Sequence, residues 1–322
     1  MKTPRSLVSL ASGAVVVSCL GSLPLLYPSE LAKAGQFSQR PPFSHPRGGG
    51  GGNGGGGGGN GGQKVAILLK GSVNGQTIQP GVIEGAYRAI GVAKDAEVNG
   101  LTVDGMQAHV VRDCIRIIGE RIVLRNIRCW MLPGPQMSMK EMPEGLHIQG
   151  GSNITIENST FSGFQMMLGP KQYWNGDGIA AEKPVSDLTF RDVTSNDNSD
   201  AGFDIKPPVK MDRVSASGNC RNFRFWSDAD IGTLTVGDVD WRGGSSRCAG
   251  IWVAGSDEQP PRIHIRNLIV NASKPLDIIK VAKGPANITI DHCVIRAPQG
   301  SHLLGEPNPG GPITADRSCR IG

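Results

Sequence analysis

The feature that most constrains the fold is an internal repeat of about 25 residues, which begins near Val65 and continues to the C-terminal region. Each unit contains a short segment in which apolar and polar residues alternate, the pattern of a β-strand with one buried face. These segments are Ile122–Asn126, Ile154–Asn158, Leu188–Asp192, Leu234–Asp238, Ile263–Asn267 and Ile288–His292. Most of them end in Asn or Asp, residues that tolerate the left-handed backbone conformation of a tight turn.

Each unit also holds an earlier alternation, such as Phe203-Asp-Ile or Ile251-Trp-Val, and no helical period separates the two. A single unit of this kind cannot bury its apolar face, but stacked units form one continuous core. A propeller would need four strands in about 40 residues, and a sandwich would not keep the Asn/Asp turns in register. We predict that residues 65–322 are an all-β domain, a single-stranded right-handed parallel β-helix (solenoid) of about eight coils. The handedness follows the general preference of parallel crossovers.

Composition agrees with a turn-rich solenoid. Glycine accounts for 46 of the 322 residues, while aromatic residues make up 5% and charged residues 19%. These proportions argue against a helical bundle or a coiled coil. Thirteen of the glycines lie in Gly48–Gly62, within a Pro- and Gly-rich stretch without hydrophobic period. We predict that residues 35–64 are a disordered tether.

The first 34 residues have the pattern of a secretory signal peptide. Lys2 and Arg5 precede an uncharged stretch, and Ala32-Lys33-Ala34 offers a small-x-small cleavage site. Two other interpretations stay open. Val16-Val-Ser-Cys19 resembles a bacterial lipobox, which would leave a lipid anchor at Cys19, or the segment is kept as a membrane anchor. We expect the mature chain to be secreted or held in the cell envelope, without a membrane span.

The charge balance gives no sign of a nucleic-acid partner. The formal net charge is +5, and the predicted signal segment contributes three of the 33 basic residues and one of the 28 acidic ones. The remaining chain is therefore close to neutral, without the basic excess that binding to phosphate backbones requires. We expect a monomer that binds no nucleic acid.

Six cysteines remain after removal of the signal segment, and an even number in an exported chain indicates disulfides. Cys220 and Cys248 each lie three residues before an inward apolar residue, so the predicted register places them on neighbouring coils about 4.8 Å apart. We predict a Cys220–Cys248 bridge. Two further pairings, less fixed by this register, are Cys293–Cys319 and Cys114–Cys129. No C-x-x-C pair occurs, which argues against structural zinc.

Stacking the units in register brings outward side chains into rows. The first row is Gly91, Arg116, His147, Ala180, Asp204, Arg224, Trp252 and Asp277, the second is Gln149, Glu182, Lys206, Trp226 and Ala254, and the positions just before the strands are Glu144, Asp177, Asp200 and Asn222. One face thus collects acids, bases and two Trp rings, and it is the candidate site. We expect His147, Glu182, Trp226 and Trp252 to contact a substrate. Alternatively, His147 is an ordinary surface residue and the Trp rings pack against neighbouring side chains.

Residues 177–226 resemble the calcium site of the polysaccharide lyase family 9 pectate lyases, in the pectate-lyase-like β-helix superfamily. That family has an Asp-Asp-Gly-x-Asp element and a further Asp one coil earlier. Here Asp200 and Asp204 match the outer acids of the element, Asp177 matches the earlier Asp, and Ala201 replaces the middle Asp. The resemblance implies Ca²⁺ bound by these three Asp residues. With one ligand missing, water and substrate oxygens would complete the site.

The same resemblance implies a catalytic base on the following coil. The family has a Lys in an Asn-Gly-Phe-Lys strand, and Arg224 of Asn222-Phe-Arg replaces it here. Arg stays protonated in nearly every protein setting, although some lyases of this fold use an Arg in this role. Lys206, two residues after Asp204, is a second candidate base. Alternatively, Arg224 and Asp204 form an interstrand ion pair.

These residues predict a secreted polysaccharide lyase that cleaves an acidic, uronic acid polysaccharide such as pectate by calcium-assisted β-elimination. In that reaction the cation neutralises the uronate carboxylate and the base removes the adjacent proton. Two alternatives stay open. One is a glycan-binding or envelope β-helix protein without catalysis. The other is an inverting glycoside hydrolase resembling polygalacturonases, although the Gly-His-Gly and Arg-x-Lys tripeptides of that class are absent from the sequence.

Overall fold

A computed structural model of the protein describes residues 64–133, 142–169, 171–243, 248–306 and 311–321. The predicted signal segment 1–34, with the alternative anchor at Cys19, lies outside the described residues, as does the tether 35–64 except for its last residue. The described residues contain β-strands and no helix. None of them forms a helix that is long and apolar enough to cross a membrane.

Twenty strands follow one another along the chain. The first ten are β1 (Val65–Leu69), β2 (Ser72–Asn74), β3 (Thr77–Ile78), β4 (Gly81–Val92), β5 (Glu97–Asn99), β6 (Thr102–Met131), β7 (Glu144–Ser162), β8 (Asp177–Ala181), β9 (Val185–Asn196) and β10 (Ala201–Ile205). The other ten are β11 (Val209–Asp212), β12 (Val214–Ser217), β13 (Arg221–Phe225), β14 (Ala229–Val236), β15 (Ala249–Ala254), β16 (Arg262–Asn271), β17 (Asp277–Ala282), β18 (Asn287–Arg296), β19 (His302–Leu304) and β20 (Ile313–Ala315).

The strands pair in parallel, each with the equivalent strand of the preceding and the following repeat. One series runs β1, β4, β6, β7, β8, β10, β13, β15, β17 and β19. A second series branches from β7 and runs through β9, β11, β14, β16, β18 and β20. An all-β chain with such stacked parallel strands is consistent with the predicted parallel β-helix solenoid.

The inward residues of the strands form one apolar core. Phe203 and Phe223 occupy paired positions on β10 and β13, and their rings stack with centroids 5.0 Å apart. Phe190 of β9 meets Phe203 edge-on at 5.8 Å. All three rings are fully buried, and burying each such side chain contributes roughly 1.5–3 kcal/mol. The core therefore fixes the register of the strands that carry the candidate site.

The Asn/Asp turns predicted from the repeat are confirmed in three places. Asn126, Asn158 and Asp192 have φ values of 57°, 44° and 54°, in the left-handed region that these residues tolerate. Asn158 also donates a 2.6 Å hydrogen bond to Asn126 on the neighbouring repeat. Asp238 and Asn267, which close two later segments, are not among the residues with positive φ.

The corner before the site strands requires glycine and is lined by buried amides. A Cβ on Gly202 would lie 2.6 Å from the carbonyl oxygen of Asn222, so no larger residue fits without a shift. Inside this corner Asn198 donates to Asn219 and Asn219 donates to Asn222, both at 2.9 Å. These fully buried side chains are thus hydrogen-bonded, as buried amides must be to avoid a desolvation cost. These amide hydrogen bonds connect the loops that precede β10 and β13.

All three predicted disulfides are present. Cys220–Cys248 links neighbouring repeats with a Cα–Cα distance of 4.5 Å, Cys293–Cys319 joins the last repeats at 4.8 Å, and Cys114–Cys129 closes a loop within β6. The register behind the first prediction is confirmed too, because Phe223 pairs with Ile251. Three disulfides are compatible with an extracellular protein.

Candidate functional site

The predicted outward row is confirmed over most of its length. Strand pairing joins Arg116 to His147, His147 to Ala180, Ala180 to Asp204, Asp204 to Arg224 and Arg224 to Trp252. The last predicted member is wrong. Lys280, and not Asp277, pairs with Trp252, because β17 aligns three residues later than the apolar pattern around Asp277 suggested.

Beside this row lies a line of buried acids, which we call the carboxyl row: Asp113, Glu144 and Asp177. Glu144 and Asp177 are direct partners on β7 and β8, and Asp113 is at the equivalent place on β6, two residues before Ile115, which pairs with Leu146. All three side chains are almost completely buried. A buried carboxylate is costly unless a cation or several hydrogen-bond donors compensate it.

The first two members of the carboxyl row are compensated. Asp113 lies 2.7 Å from Arg88 and 2.6 Å from Arg112. Glu144 lies 2.9 Å from Arg116 and 2.6 Å from the Nδ1 atom of His147. Each of these carboxylates therefore has two cationic or potentially cationic partners. The predicted site residue His147 is here a partner of Glu144.

Asp177 differs from both. Its Oδ1 atom accepts a 2.8 Å hydrogen bond from the backbone N–H of Ala201, but no Lys, Arg or His of the described residues forms an ion pair with it. Burial, followed by the negative charges of Asp200 and Asp204, raises the pKa of Asp177 well above its ordinary value. Only the Ala201 N–H favours its charged form among the described residues, so the surroundings of Asp177 favour the neutral carboxylic acid.

Asp200 is completely enclosed by donors. Its oxygens accept hydrogen bonds from the Tyr173 hydroxyl and from Arg221, and Arg224 donates a third at 3.3 Å. The Asp200 carboxylate, which was expected to bind calcium, thus accepts hydrogen bonds from two guanidinium groups and a phenol. Burial and the charge of Asp200 raise the pKa of Tyr173, so this hydroxyl keeps its proton.

This donor set does not fit the predicted Ca²⁺ site. Calcium needs six to eight oxygen ligands, but both oxygens of Asp200 already face cationic donors. Within the described part of the chain, no group of three or more Asp, Glu, His or Cys residues is arranged to hold a metal ion. Asp177 and Asp204 alone remain from the predicted ligand set. No reaction step is therefore assigned to calcium.

Asp204 is oriented by two neighbours. The indole N–H of Trp226 donates a 2.7 Å hydrogen bond to Oδ1, and the Nε atom of Arg224 lies 3.7 Å from the same oxygen. Burial raises the pKa of Asp204, while Arg224 and Trp226 work against that rise. Asp204 therefore differs from Asp177 in having a cation and an indole N–H that favour its charged form.

The two predicted bases both lie against carboxylates. Burial acts to lower the pKa of Arg224, but the carboxylates of Asp204 and Asp200 outweigh it and raise that pKa above its ordinary value. The Nζ atom of Lys206 donates hydrogen bonds to both carboxylate oxygens of Glu182, at 2.7 and 2.8 Å. Glu182 is also 3.7 Å from the Nε2 atom of His147. Arg224 therefore lacks the free lone pair that a base needs, and the amine of Lys206 is engaged by Glu182.

The two predicted stacking platforms are covered. Trp252 is only 3% exposed, and the guanidinium groups of Arg224 and Arg221 lie 5.0 and 5.7 Å from its ring centre. Trp226 is half-buried and has Arg224 at 4.7 Å and Lys283 at 4.0 Å over its ring. Trp252 is thus unavailable to a sugar, and Trp226 positions Asp204 rather than presenting a bare face.

These groups line a cleft of about 300 Å³, which we call the acidic cleft. The small side chain of Ala180 lines it between the larger His147 and Asp204 of the outward row. Its lining residues are Met142, Glu144, Tyr173, Asn175, Asp177, Ala180, Glu182, Asp204, Lys206, Arg224 and Trp226. Sequence reasoning missed Tyr173, Asn175 and Arg221, because none of them belongs to the repeated strands' outward rows.

A larger groove of about 580 Å³ lies on another face. Its charged residues form exposed pairs, such as Arg262–Asp228 at 2.7 Å and Arg266–Asp230 at 2.8 Å. Exposed pairs of this kind are ordinary surface features. The acidic cleft, with its buried and unequally compensated acids, is the stronger candidate for chemistry.

Comparison with known proteins does not assign the chain. No family model, curated protein or solved structure matches it. What the acidic cleft does must therefore be inferred from its residues, and the resemblance to pectate lyases rests on the positions quoted above.

Proposed function

We propose that this protein is an exported right-handed parallel β-helix of about eight coils, of the pectate-lyase-like kind, that binds an acidic polysaccharide in the acidic cleft and hydrolyses it. The parallel strand series and the three disulfides support the architecture and the export. The cleft is polar and of a size for a sugar ring, and its acids suit acid–base chemistry on a glycosidic bond.

One observation carries the proposal: the acidic cleft holds a buried carboxyl group without a counter-cation beside a second carboxyl group that has one. Asp177 has only a backbone donor, whereas Asp204 lies beside Arg224 and accepts a hydrogen bond from Trp226. Two carboxyl groups, of which one lacks the cationic partner that favours the charge of the other, suit the acid and base roles of glycoside hydrolysis.

The two groups then have complementary roles. Asp177 donates its proton to the glycosidic oxygen as the bond from that oxygen to the anomeric carbon breaks. Asp204 accepts a proton from the water molecule whose oxygen bonds to the anomeric carbon. The leaving oxygen gains the hydrogen of Asp177 and the anomeric carbon gains the hydroxyl of the water; after product release Asp204 returns its proton to solvent and Asp177 takes one up. General acid–base catalysis of this kind contributes about 10²–10⁴-fold per group.

The cations of the acidic cleft favour an acidic polymer. Lys206 and Arg224 both line it, and each lies beside carboxylates that it could share with a substrate. A uronate carboxylate placed between them would meet two positive charges and the Asn175 amide. Arg is well suited to bind a planar carboxylate because its donors form a rigid fork.

A second candidate is the β-elimination expected from the sequence. The same two cations favour it, because neutralising the uronate carboxylate makes the adjacent carbon–hydrogen bond more acidic. Asp177 would protonate the leaving oxygen in this reaction as well. The lyase would need Lys206 to give up its proton to Glu182 before it could act as base, and for this reason we place hydrolysis first.

The test is a cleavage assay with the exported protein on polygalacturonate and other uronate polymers. We expect new reducing ends without the ultraviolet absorbance of an unsaturated uronate. Asp177→Asn should lower the rate by about 100-fold or more, while Asp230→Asn, which changes an exposed acid of the other groove, should not. Absorbing products would favour the lyase instead. Binding without any cleavage would leave a glycan-binding protein, and an active Asp177→Asn would exclude the proposed acid.

A further inference from the structure

Trp241 is the aromatic side chain that the described part of the chain leaves uncovered. It is 64% exposed, whereas Trp252 is buried and Trp226 is covered by cations. A single exposed hydrophobic residue needs no explanation by itself. Trp241, however, also borders a second cleft, and the loop that carries it is held rigidly.

The loop of Trp241 is fixed from several sides. Arg242 donates to the backbone carbonyl of Asp197 at 2.6 Å and to the carboxylate of Asp240 at 3.2 Å. Gly243 forms an antiparallel bridge with Tyr173. A side chain on such a loop loses little conformational freedom when a ligand binds, so more of the contact energy appears as affinity.

The second cleft, which we call the Trp241 cleft, measures about 400 Å³. Its lining includes Asp240, Trp241, Lys274, Pro275 and Asp277. Its acids already have partners: Asp240 lies 3.2 Å from Arg242, and Asp277 lies 3.7 Å from Lys280. With Lys274 added, the cleft does not repel an acidic chain. An open indole ring beside hydrogen-bonding groups suits the apolar face and the hydroxyl rim of a sugar.

The Trp241 cleft lies along the solenoid from the acidic cleft. Strand pairing leads from β8, which carries Asp177, through β10, β13 and β15 to β17, which carries Asp277. Four interstrand steps of about 4.8 Å correspond to about 19 Å between Asp177 and Asp277, one acid of each cleft. Tyr173 connects the two places, since it lines the acidic cleft and its backbone bridges to Gly243. A polymer lying along the strand stack would pass both.

We propose that Trp241 forms a distal sugar-binding subsite, in which its indole ring stacks on a residue of the same acidic polysaccharide that occupies the acidic cleft. This inference rests on the proposed function. It assigns Trp241 the stacking role that the sequence had suggested for Trp226 and Trp252. It also predicts that the protein prefers chains long enough to span both clefts.

The test compares equilibrium binding of short and long uronate oligosaccharides, in the Asp177→Asn background so that no chain is cleaved. Trp241→Ala should weaken binding of oligosaccharides that span about 19 Å by about fivefold to tenfold and leave disaccharide binding unchanged. Trp241→Phe should retain most of the affinity. Val82→Ala is the control, because Val82 is 66% exposed on β4 and lines neither cleft.

The outcomes separate the two proposals. If the parent protein binds long chains and Trp241→Ala binds them equally well, the distal subsite is excluded and the acidic cleft still stands. An equal loss for long and short chains also excludes it, because the effect would then come from the acidic cleft. If the parent protein binds and cleaves no uronate polymer, the proposed function itself fails, and the subsite fails with it.

Discussion

The two ends of the carboxyl row differ in how their charge is compensated. Asp113 forms ion pairs with Arg88 and Arg112. Asp177, two strands further along, has no cationic partner in the described part of the chain. Both are buried on the same kind of strand, so burial alone does not separate structural from functional acids. What separates them is whether the neighbouring rows supply a cation.

The difference follows from single residues in equivalent positions. Arg116 follows Asp113 by three residues and lies 4.0 Å from it, and His147 follows Glu144 by three and lies 2.6 Å from it. Ala180 takes the corresponding place after Asp177, and it offers no charge. The small side chain therefore does two things at once: it opens the acidic cleft and it deprives Asp177 of a partner. Natural proteins commonly give up stability at functional sites in this way.

The largest expected effect on stability comes from a substitution at Asp113, the compensated end of the carboxyl row. Asp113→Asn should lower the free energy of unfolding by about 3 kcal/mol, because it leaves two part-buried guanidinium groups without their carboxylate. Urea denaturation measures it directly. Asp230→Asn, at an exposed acid that pairs with Arg266, should cost less than about 1 kcal/mol. Equal losses for the two variants would mean that Asp113 is not a structural ion pair.

Much of this arrangement could be predicted from the sequence, because a solenoid converts sequence spacing directly into strand neighbours. The repeat placed His147, Ala180, Asp204 and Arg224 in one row, and strand pairing confirms it. It failed at β17, where an apolar residue three positions too early matched the pattern equally well. Because Ile278 and Ile279 are both apolar, the alternation can be followed in either phase here, and only the turn fixes which phase is right.

The loops between strands were beyond the reach of that reasoning. Tyr173 and Trp241 come from connections that follow no period, so their positions depend on tertiary contacts such as the Tyr173–Gly243 bridge. The same limit explains the calcium expectation. The spacing of Asp177, Asp200 and Asp204 matched a ligand pattern, but Arg221, which occupies Asp200, lies in no outward row of the repeat.

A substitution at Asp177, the uncompensated end of the carboxyl row, should change the free energy of unfolding in the opposite direction. Asp177→Asn should raise the free energy of unfolding by about 1–2 kcal/mol at neutral pH, since it removes the cost of a buried acid that prefers its proton. The pKa of Asp177 is raised in the folded state above its ordinary value of 3.8. The folded protein therefore binds more protons than the unfolded chain, and this acid lowers stability as pH rises from about 4.

The sign of that effect is the test. The gain from Asp177→Asn should grow as pH rises from about 4 toward neutral, and it should disappear below about pH 4, where the carboxyl group becomes neutral in both states. Urea denaturation of both proteins across this range measures it. A loss of stability at neutral pH would show that the Asp177 carboxylate is compensated after all, and the contrast with Asp113 would vanish.

The smallest expected effect is that of calcium on the stability of the folded protein. Measuring it tests whether a metal ion is the missing partner of Asp177. Calcium at a concentration of 100 times the dissociation constant of its site would stabilise the folded state by about 2.7 kcal/mol. Because Arg221 and Arg224 occupy Asp200, we expect the melting temperature to be the same in millimolar calcium and in excess chelator. If calcium raised it, and Asp177→Asn and Asp204→Asn each removed the increase, then the missing cation would be the metal. Both ends of the carboxyl row would then be compensated, one by arginine and one by calcium, and the neutral acid that hydrolysis requires would not exist.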